Sequence, residues 1–300
     1  MKILKWITAA VLGLALLAGI AFGGAVWMGD RKRQRVVDVR VAPVAYVSDT
    51  AVLQQGKYLF ESRGCAECHG ANGTGRVFID APNGLFVRSP NLTGDPGSAV
   101  ARYKEVDWVR AIRHGVNPQG RALLVMPSED YNRLTDADLA ALVAYVRSLP
   151  PQASQPGEVR LPVFLRALYG AGVIPDAYSR IDHALPPAQP VAVGATTEHG
   201  AYVTNMCQGC HGHKLAGGPI PGAPPEWPPA ANLTPGAGGA MARYPTLDRF
   251  VAMMRTGKRP DGTAVSTVMP FATLAAINDV DLQAMYAYLK TLAPQPTGAR

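Results

Sequence analysis

A five-residue run, Cys-x-x-Cys-His, occurs twice in this chain: CAECH at Cys65–His69 and CQGCH at Cys207–His211. Together the two copies use all four cysteines of the 300 residues. Two thiols one helical turn apart can both reach the vinyl groups along one edge of a porphyrin. The histidine that follows is then carried beneath the ring, where its imidazole can bind the iron. The pattern therefore points to covalent haem, once at Cys65, Cys68 and His69 and again at Cys207, Cys210 and His211. A structural zinc site accounts for it less well: zinc takes four ligands, usually as two separated pairs. Pooling the four sulfurs would leave two histidines without a role. A redox dithiol of the thioredoxin kind belongs near a βαβ pattern, and the sequence has none.

The surroundings of the motif recur as well. Cys65 is matched by Cys207 at an offset of 142, and Asn91-Leu92-Thr93 by Asn232-Leu233-Thr234 at 141. Arg113 and Gly115 are matched by Arg255 and Gly257 at 142, and Met126-Pro127 by Met269-Pro270 at 143. Offsets this steady mean one helical unit used twice, with small loop insertions. The reading divides the chain into residues 1–29, 30–48, 49–150, 151–198, 199–294 and 295–300, with the two units at 49–150 and 199–294. In the first unit the pattern predicts a helix over about Asp49–Arg63, with Val52, Leu53, Leu59 and Phe60 on one side and Gly56 allowing a close crossing. A second helix runs over Glu105–His114 and stops at Gly115. A third, opened by Thr135 with Asp138 three residues on, runs to Ser148. In the second unit Asn278 and Asp281 open the matching last helix, which carries Tyr288 where the first has Tyr145. Residues 70–91 read as irregular. The Pro-rich segment 151–198 contains an apolar stretch, 161–174, that suits a short helix packed between the units.

Ahead of the units lies an uncharged run of 24 residues, Trp6–Gly29. About 20 residues cross a bilayer core at 1.5 Å each, and Trp6 and Trp27 stand where interfacial aromatics belong. The run exceeds the apolar region of a signal peptide, so a retained anchor is expected, with residues 30–48 as its tether. The net charge of +7 is concentrated here: residues 1–40 hold seven Lys/Arg against two acids, the remainder 22 against 20. This is a basic collar for anionic headgroups, at Arg31, Lys32, Arg33 and Arg35, and it gives no reason to expect nucleic acid as a partner. Loop charge alone would put the units in the cytoplasm. What the family of the haem motif implies, attachment outside the cytoplasmic membrane, is taken to outweigh that bias.

The sixth iron ligand separates an electron carrier from an enzyme. A methionine thioether closes the coordination sphere and raises the potential. Met126 is the sole methionine between Met28 and Met206 and lies 57 residues after His69. In the second unit Met241, Met253, Met254, Met269 and Met285 compete. Met253, Met254 and Met285 fall within helical patterns and suit core packing, and the repeat selects Met269, 58 residues after His211. His114 is not expected to ligate, because its repeat partner is Thr256. A surface or propionate-contacting role is expected for it, solvated positions for His199 and His213, and a surface or interface position for His183. Arg88, Arg113 and Arg255 are candidates for pairing with haem propionates or for ordinary exposed positions.

CAECHG and CQGCHG, the two Met-Pro loops and the terminal helices with Tyr145 and Tyr288 resemble the class I cytochrome c fold, in a membrane-anchored dihaem arrangement. Leu215-Ala216-Gly217-Gly218 and Asn232-Leu233-Thr234-Pro235 are similar to the cytochrome c subunits of periplasmic membrane-bound dehydrogenases, which usually carry three haems where this chain has two motifs. The resemblance implies an all-α fold of two tandem cytochrome c domains after a transmembrane helix, two covalently attached haems c, and a single-pass position in the inner membrane with the haem domains periplasmic. It implies one-electron relay between a dehydrogenase or quinol-linked donor and an acceptor cytochrome or terminal oxidase, with no catalytic residues. The alternative is a dihaem redox enzyme of peroxidase or thiosulfate dehydrogenase type, which would need an open iron site.

Overall fold

The computed structural model describes residues 2–224 and 226–299. Helix α1, Lys2–Gln34, is long and apolar enough to cross a membrane. Its side chains up to residue 24 are exposed, and burial begins around Ala25–Gly29, where the rest of the protein meets it. The segment expected to be a tether is packed against the first unit. Val37 N donates to the Gly120 carbonyl (2.8 Å), Arg110 Nε to the Val39 carbonyl (3.1 Å) and Tyr46 Oη to the Tyr103 carbonyl (3.2 Å). Val39 and Val44 are buried. Alternating apolar residues in this segment supply what a free linker lacks, a face worth burying.

The first unit opens with α2, Thr50–Ser62, whose N-cap Asp49 accepts from the amides of Ala51 and Val52. The attachment helix α3, Cys65–His69, follows at once. Residues 70–91 are not irregular throughout. Strands β1, Val77–Asp80, and β2, Phe86–Arg88, pair antiparallel, with Val77 opposite Arg88 and Asp80 opposite Phe86. Helix α4, Glu105–His114, ends on Gly115 at φ 62°, the left-handed cap that its sequence predicts. After α5, Ser128–Tyr131, helix α6, Asp136–Ser148, starts where Thr135 Oγ accepts from Asp138 N, as the capping pattern requires.

The linker does not lie between the units. Strand β3, Glu158–Arg160, extends the hairpin into a three-stranded sheet in the order β1-β2-β3, with Phe86 opposite Arg160. The all-α expectation is corrected to a helix-rich fold with this small sheet. Helix α7, Val163–Gly170, packs along α1, and α8, Ala177–Arg180, along α5.

The second unit repeats the first: α9, Thr197–Thr204; a 3₁₀ turn at 205–207; the attachment helix α10, Gln208–His211; α11, Leu247–Thr256, capped by Gly257 at φ 66°; α12, Phe271–Ala275; and α13, Asp279–Thr291, capped by Asn278. In each unit the first and last helices cross closely. A Cβ on Gly56 would collide with the Ala141 carbonyl and the Tyr145 Cβ. One on Gly200 would collide with the Ala284 carbonyl and the Tyr288 Cβ. Glycine is demanded here by backbone proximity, and this crossing is what aims each attachment helix at its own core. The tail also packs, over residues 295–298, through Asn232 Nδ2 to the Gln295 carbonyl (2.8 Å) and Gly298 N to the Ala216 carbonyl (3.0 Å).

Candidate haem sites

The two attachment helices end identically. Gly70 (φ 78°, ψ 154°) and Gly212 (φ 78°, ψ 162°) adopt a conformation that a side chain would resist, and they turn the chain back over the histidine. The amides of Gly75 and Gly217 then donate to the carbonyls of His69 and His211, both at 2.8 Å. The imidazoles are held in the same manner: His69 Nδ1 lies 3.0 Å from the Pro90 carbonyl, and His211 Nδ1 lies 2.7 Å from the Ala231 carbonyl. A carbonyl can only accept, so Nδ1 carries the proton and Nε2 is left as the basic nitrogen, the arrangement that orients metal-ligating histidines. Burial holds the His69 imidazole below its usual range, and hence neutral, as a ligand must be.

None of the four cysteines is in a disulfide. Burial pushes the Cys65 and Cys207 thiols up to about 12 each. A redox dithiol works through a depressed thiol, and burial moves these two the opposite way. Among the described residues no three His, Cys, Asp or Glu side chains gather as a metal cluster, and a four-ligand zinc site has no counterpart.

The methionine loops are duplicated down to single bonds. A bridge between Val116 and Ala122 recurs between Lys258 and Ala264. Leu123 N donates to the Gly115 carbonyl (2.7 Å), and Val265 N to the Gly257 carbonyl (2.8 Å). Ser128 N reaches the Met126 carbonyl and Phe271 N the Met269 carbonyl, both at 2.9 Å. The extra residue behind the offset of 143 therefore lies between Val265 and Met269. Half-buried Met126 packs on the core that also holds Cys65 and Ala66, and Met269 on the core that holds Met206 and Cys207. Met241, Met253, Met254 and Met285 are buried core residues.

These residues fit a haem on a further observation. A cavity of about 280 Å³ in the first unit is lined by Tyr46, Leu92, Tyr103, Trp108 and Arg147 among others. Leu92, Tyr103 and Trp108 belong to the core around Cys65 and Met126, and the buried Trp108 Nε1 has no protein partner. A buried N–H without an acceptor is costly unless a ligand supplies one.

The family model for cytochrome c matches residues 53–150 and 199–293. The chain belongs to the cytochrome c family. It binds haem c and serves in electron transfer. It is 28% identical to the cytochrome c subunit of alcohol dehydrogenase (quinone) from Gluconacetobacter polyoxogenes, over 83% of this chain and 58% of that protein. It is 26% identical to the cytochrome c subunit of gluconate 2-dehydrogenase from Pantoea cypripedii, over 82% of this chain and 60% of that protein. It is 25% identical to a diheme cytochrome of c type from Cereibacter sphaeroides, over 94% of this chain and 96% of that one. The chain thus spans less than two thirds of the dehydrogenase subunits that it matches.

In this cytochrome several side chains serve otherwise than the sequence suggests. Arg113 is buried and binds Asp136 (2.7 Å) and the Leu134 carbonyl (2.6 Å). Arg255 repeats the pattern on Asp279 (2.7 Å) and the Ala275 carbonyl. Both clamp the start of the terminal helix. Arg88 binds Glu158 (2.9 Å) and the Pro156 carbonyl, joining β2 to β3. His114 is buried, its Nδ1 3.0 Å from Nδ1 of His183, so the linker histidine has a partner in the first unit. His199, expected in solvent, is buried with Nε2 2.7 Å from Asp281. His213 is exposed, as expected.

The cytochrome units meet about a pseudo-twofold axis that no periodicity reveals. Tyr58 Oη donates to Asp281 Oδ2 (2.6 Å) and accepts from Asn278 N (3.2 Å). Reciprocally, Tyr202 Oη donates to Asp138 and accepts from Thr135 N (3.2 Å). Each tyrosine thus caps the terminal helix of the other unit, an isologous contact. Beside it α5, just after Met126-Pro127, reaches α10: Gly209 N donates to Asp130 Oδ1 (2.9 Å). Likewise α12, just after Met269-Pro270, packs on α3. The methionine loop of each unit is coupled to the other's attachment helix.

Proposed function

We propose that this cytochrome holds two haems c and passes single electrons between them. Cys65 and Cys68 would bind one and Cys207 and Cys210 the other through thioethers, with His69 and Met126, and His211 and Met269, as axial ligands. Bound haem iron supplies reversible one-electron chemistry. The protein's part is to fix the imidazoles through Pro90 and Ala231, present the methionines on stiff hairpins and exclude water with the two cores. The observation that carries the reading is the duplication of this whole arrangement, bond for bond, in both units. A carrier needs no open iron position, and a methionine stands at the equivalent place in each unit. The test is to mature the full chain in a periplasm and measure covalent haem per chain and the spin state of the iron. Two low-spin haems per chain are expected; one haem, or a resting five-coordinate iron, overturns the reading.

Residues 49–150 and 199–294 serve as the haem domains of this scheme. The reading includes a retained anchor in the inner membrane, with the domains periplasmic. Its support is that the last turns of α1 and the residue after it belong to the fold: Gly29 is buried against α7, Asp30 pairs with Arg166 (2.9 Å) and Arg35 with Asp176 (3.6 Å). Cleavage after the apolar run would strip α7 of its partner. The donor is a dehydrogenase or quinol-linked complex, and the acceptor a cytochrome or terminal oxidase, in keeping with the dehydrogenase subunits among its relatives. Gentle solubilisation followed by size and composition analysis tests the partner: a monomer that exchanges electrons with no membrane dehydrogenase overturns it.

A further inference from the structure

Helix α7 and the turn after it form a hairpin with an unusual position. It runs antiparallel to α1, with Arg166 beside Asp30 and Gly170 beside Ala25. Its tip, Ala171–Val173, therefore points back along the apolar run, below the level of Gly29 and toward the bilayer end of α1. The approach is backbone to backbone: a Cβ on Gly29 would collide with the Arg166 carbonyl, and one on Gly170 with the Ala25 carbonyl. Residues 167–175 carry no charge. Val163, Phe164 and Val173 are 48%, 62% and 63% exposed, and Trp27 on α1 is 60% exposed. The tip's amides are satisfied internally: Ala171 N on the Ala167 carbonyl, Gly172 N on that of Tyr169, Val173 N and Ile174 N on that of Leu168. Donors paired in this way lower the cost of bringing the turn out of water into the edge of the bilayer. Above the tip the charges form a collar, with Arg166 on Asp30, Lys32 over the Tyr169 ring and Arg35 on Asp176. Arg31 and Arg33 add positive charge suited to anionic headgroups.

We propose that residues 163–174 are a second membrane-seated element: the hairpin enters the leaflet next to the haem domains beside α1, with Val173 toward the hydrocarbon and Phe164 at the headgroups. It fixes the rotation and height of the cytochrome above the membrane, which a single helix on a loose tether would leave free. The proposal rests on α1 being a retained anchor. Its test uses the full chain in nanodiscs of phosphatidylethanolamine and phosphatidylglycerol, with the unsubstituted protein as the labelling blank. Spin labels are placed by Val173→Cys at the tip, Phe164→Cys at the headgroup level, Ala15→Cys in α1 and Gln155→Cys as the aqueous reference. Collision with oxygen is compared with collision with a water-soluble nickel chelate. Expected are oxygen preference at 15 and 173, chelate preference at 155, and an intermediate ratio at 164. Oxygen preference at 15 with chelate preference at 173 overturns the proposal and leaves the anchor standing. Shielding of 173 from both relaxants places protein over the tip and also overturns it. Chelate preference at 15 removes the anchor, and the proposal with it.

Discussion

The two cytochrome units share one skeleton and differ in what surrounds it. Between attachment helix and Asn-Leu-Thr motif, the first unit has Asn83-Gly84 between two β-branched and aromatic runs and folds a hairpin, with Gly84 at φ 84°. The same interval in the second unit holds Pro219, Pro221, Pro224, Pro228 and Pro229, which cannot donate to a ladder, and its described residues form a bridge, Gly218 to Ala230, in place of a hairpin. At the domain contact, Asp138 is half-buried and receives Tyr202 and Gln55 (3.1 Å), whereas Asp281 is buried and receives Tyr58, His199 and Arg63 (2.8 Å). Burial pushes the Asp281 carboxyl up, but Arg63, Tyr58 and His199 together hold it below the ordinary range. Trp108, whose N–H has no protein partner, is among the residues that line the cavity of the first unit; Phe250 stands at the repeat position. Residues at the haem motifs are constrained equally in both copies. The tyrosine and aspartate of the domain contact also recur, and the copies differ in the groups around them, where the first copy alone carries the tether, β3 and α8 on its surface.

The largest expected effect tests whether the copies are equivalent. Cys65→Ser with Cys68→Ser should remove one of two covalent haems, and Cys207→Ser with Cys210→Ser the other, read by haem content per chain. Met126→Ala and Met269→Ala should each convert one low-spin iron; a spectrum untouched by either substitution breaks the equivalence.

Next comes the asymmetry of the contact. Asp281→Ala leaves Arg63 buried and unpaired, which costs about 3–5 kcal/mol. Asp138→Ala removes two neutral donors' acceptor at the half-exposed mirror site, for about 1–2 kcal/mol. Chemical denaturation of the two variants measures the difference, and equal losses would mean that the two carboxylates carry the same load.

Gly56→Ala and Gly200→Ala drive a methyl group into a backbone carbonyl and should destabilise by about 1–3 kcal/mol each. Here near-equality is the prediction, since both crossings have the same geometry; thermal unfolding reads it.

The smallest effect is on pH. Burial, then His183 and Arg113, push His114 down to about 4. The unfolded chain therefore binds the proton more readily, so this group's stabilisation is full above its unfolded value near 6.5 and is lost as pH falls toward 4. His114→Gln should flatten the stability profile over that window, and Thr256, the counterpart in the second domain, contributes no such slope.

Helix boundaries are legible in the chain itself. Asp49, Thr135, Gly115 and Pro150 bound helices by local bonding and sterics, which act over a few residues and leave their mark in sequence. The hairpin at 77–88 carries a signal too, Asn83-Gly84, although the surrounding glycines and prolines make the segment read as irregular.

The chain alone specified the two haem motifs, the duplicated unit and Met126 and Met269 as candidate ligands, since each rests on residue type at fixed spacing. Tertiary packing was needed to show that the tether clasps the first domain, that α7 lies along α1, that Arg113 and Arg255 serve helices and that His114 meets His183. Packing also exchanged Tyr58 and Tyr202 across the domain contact. Those pairings join residues tens to hundreds of positions apart, where no period survives and the fit of whole helices sets who meets whom.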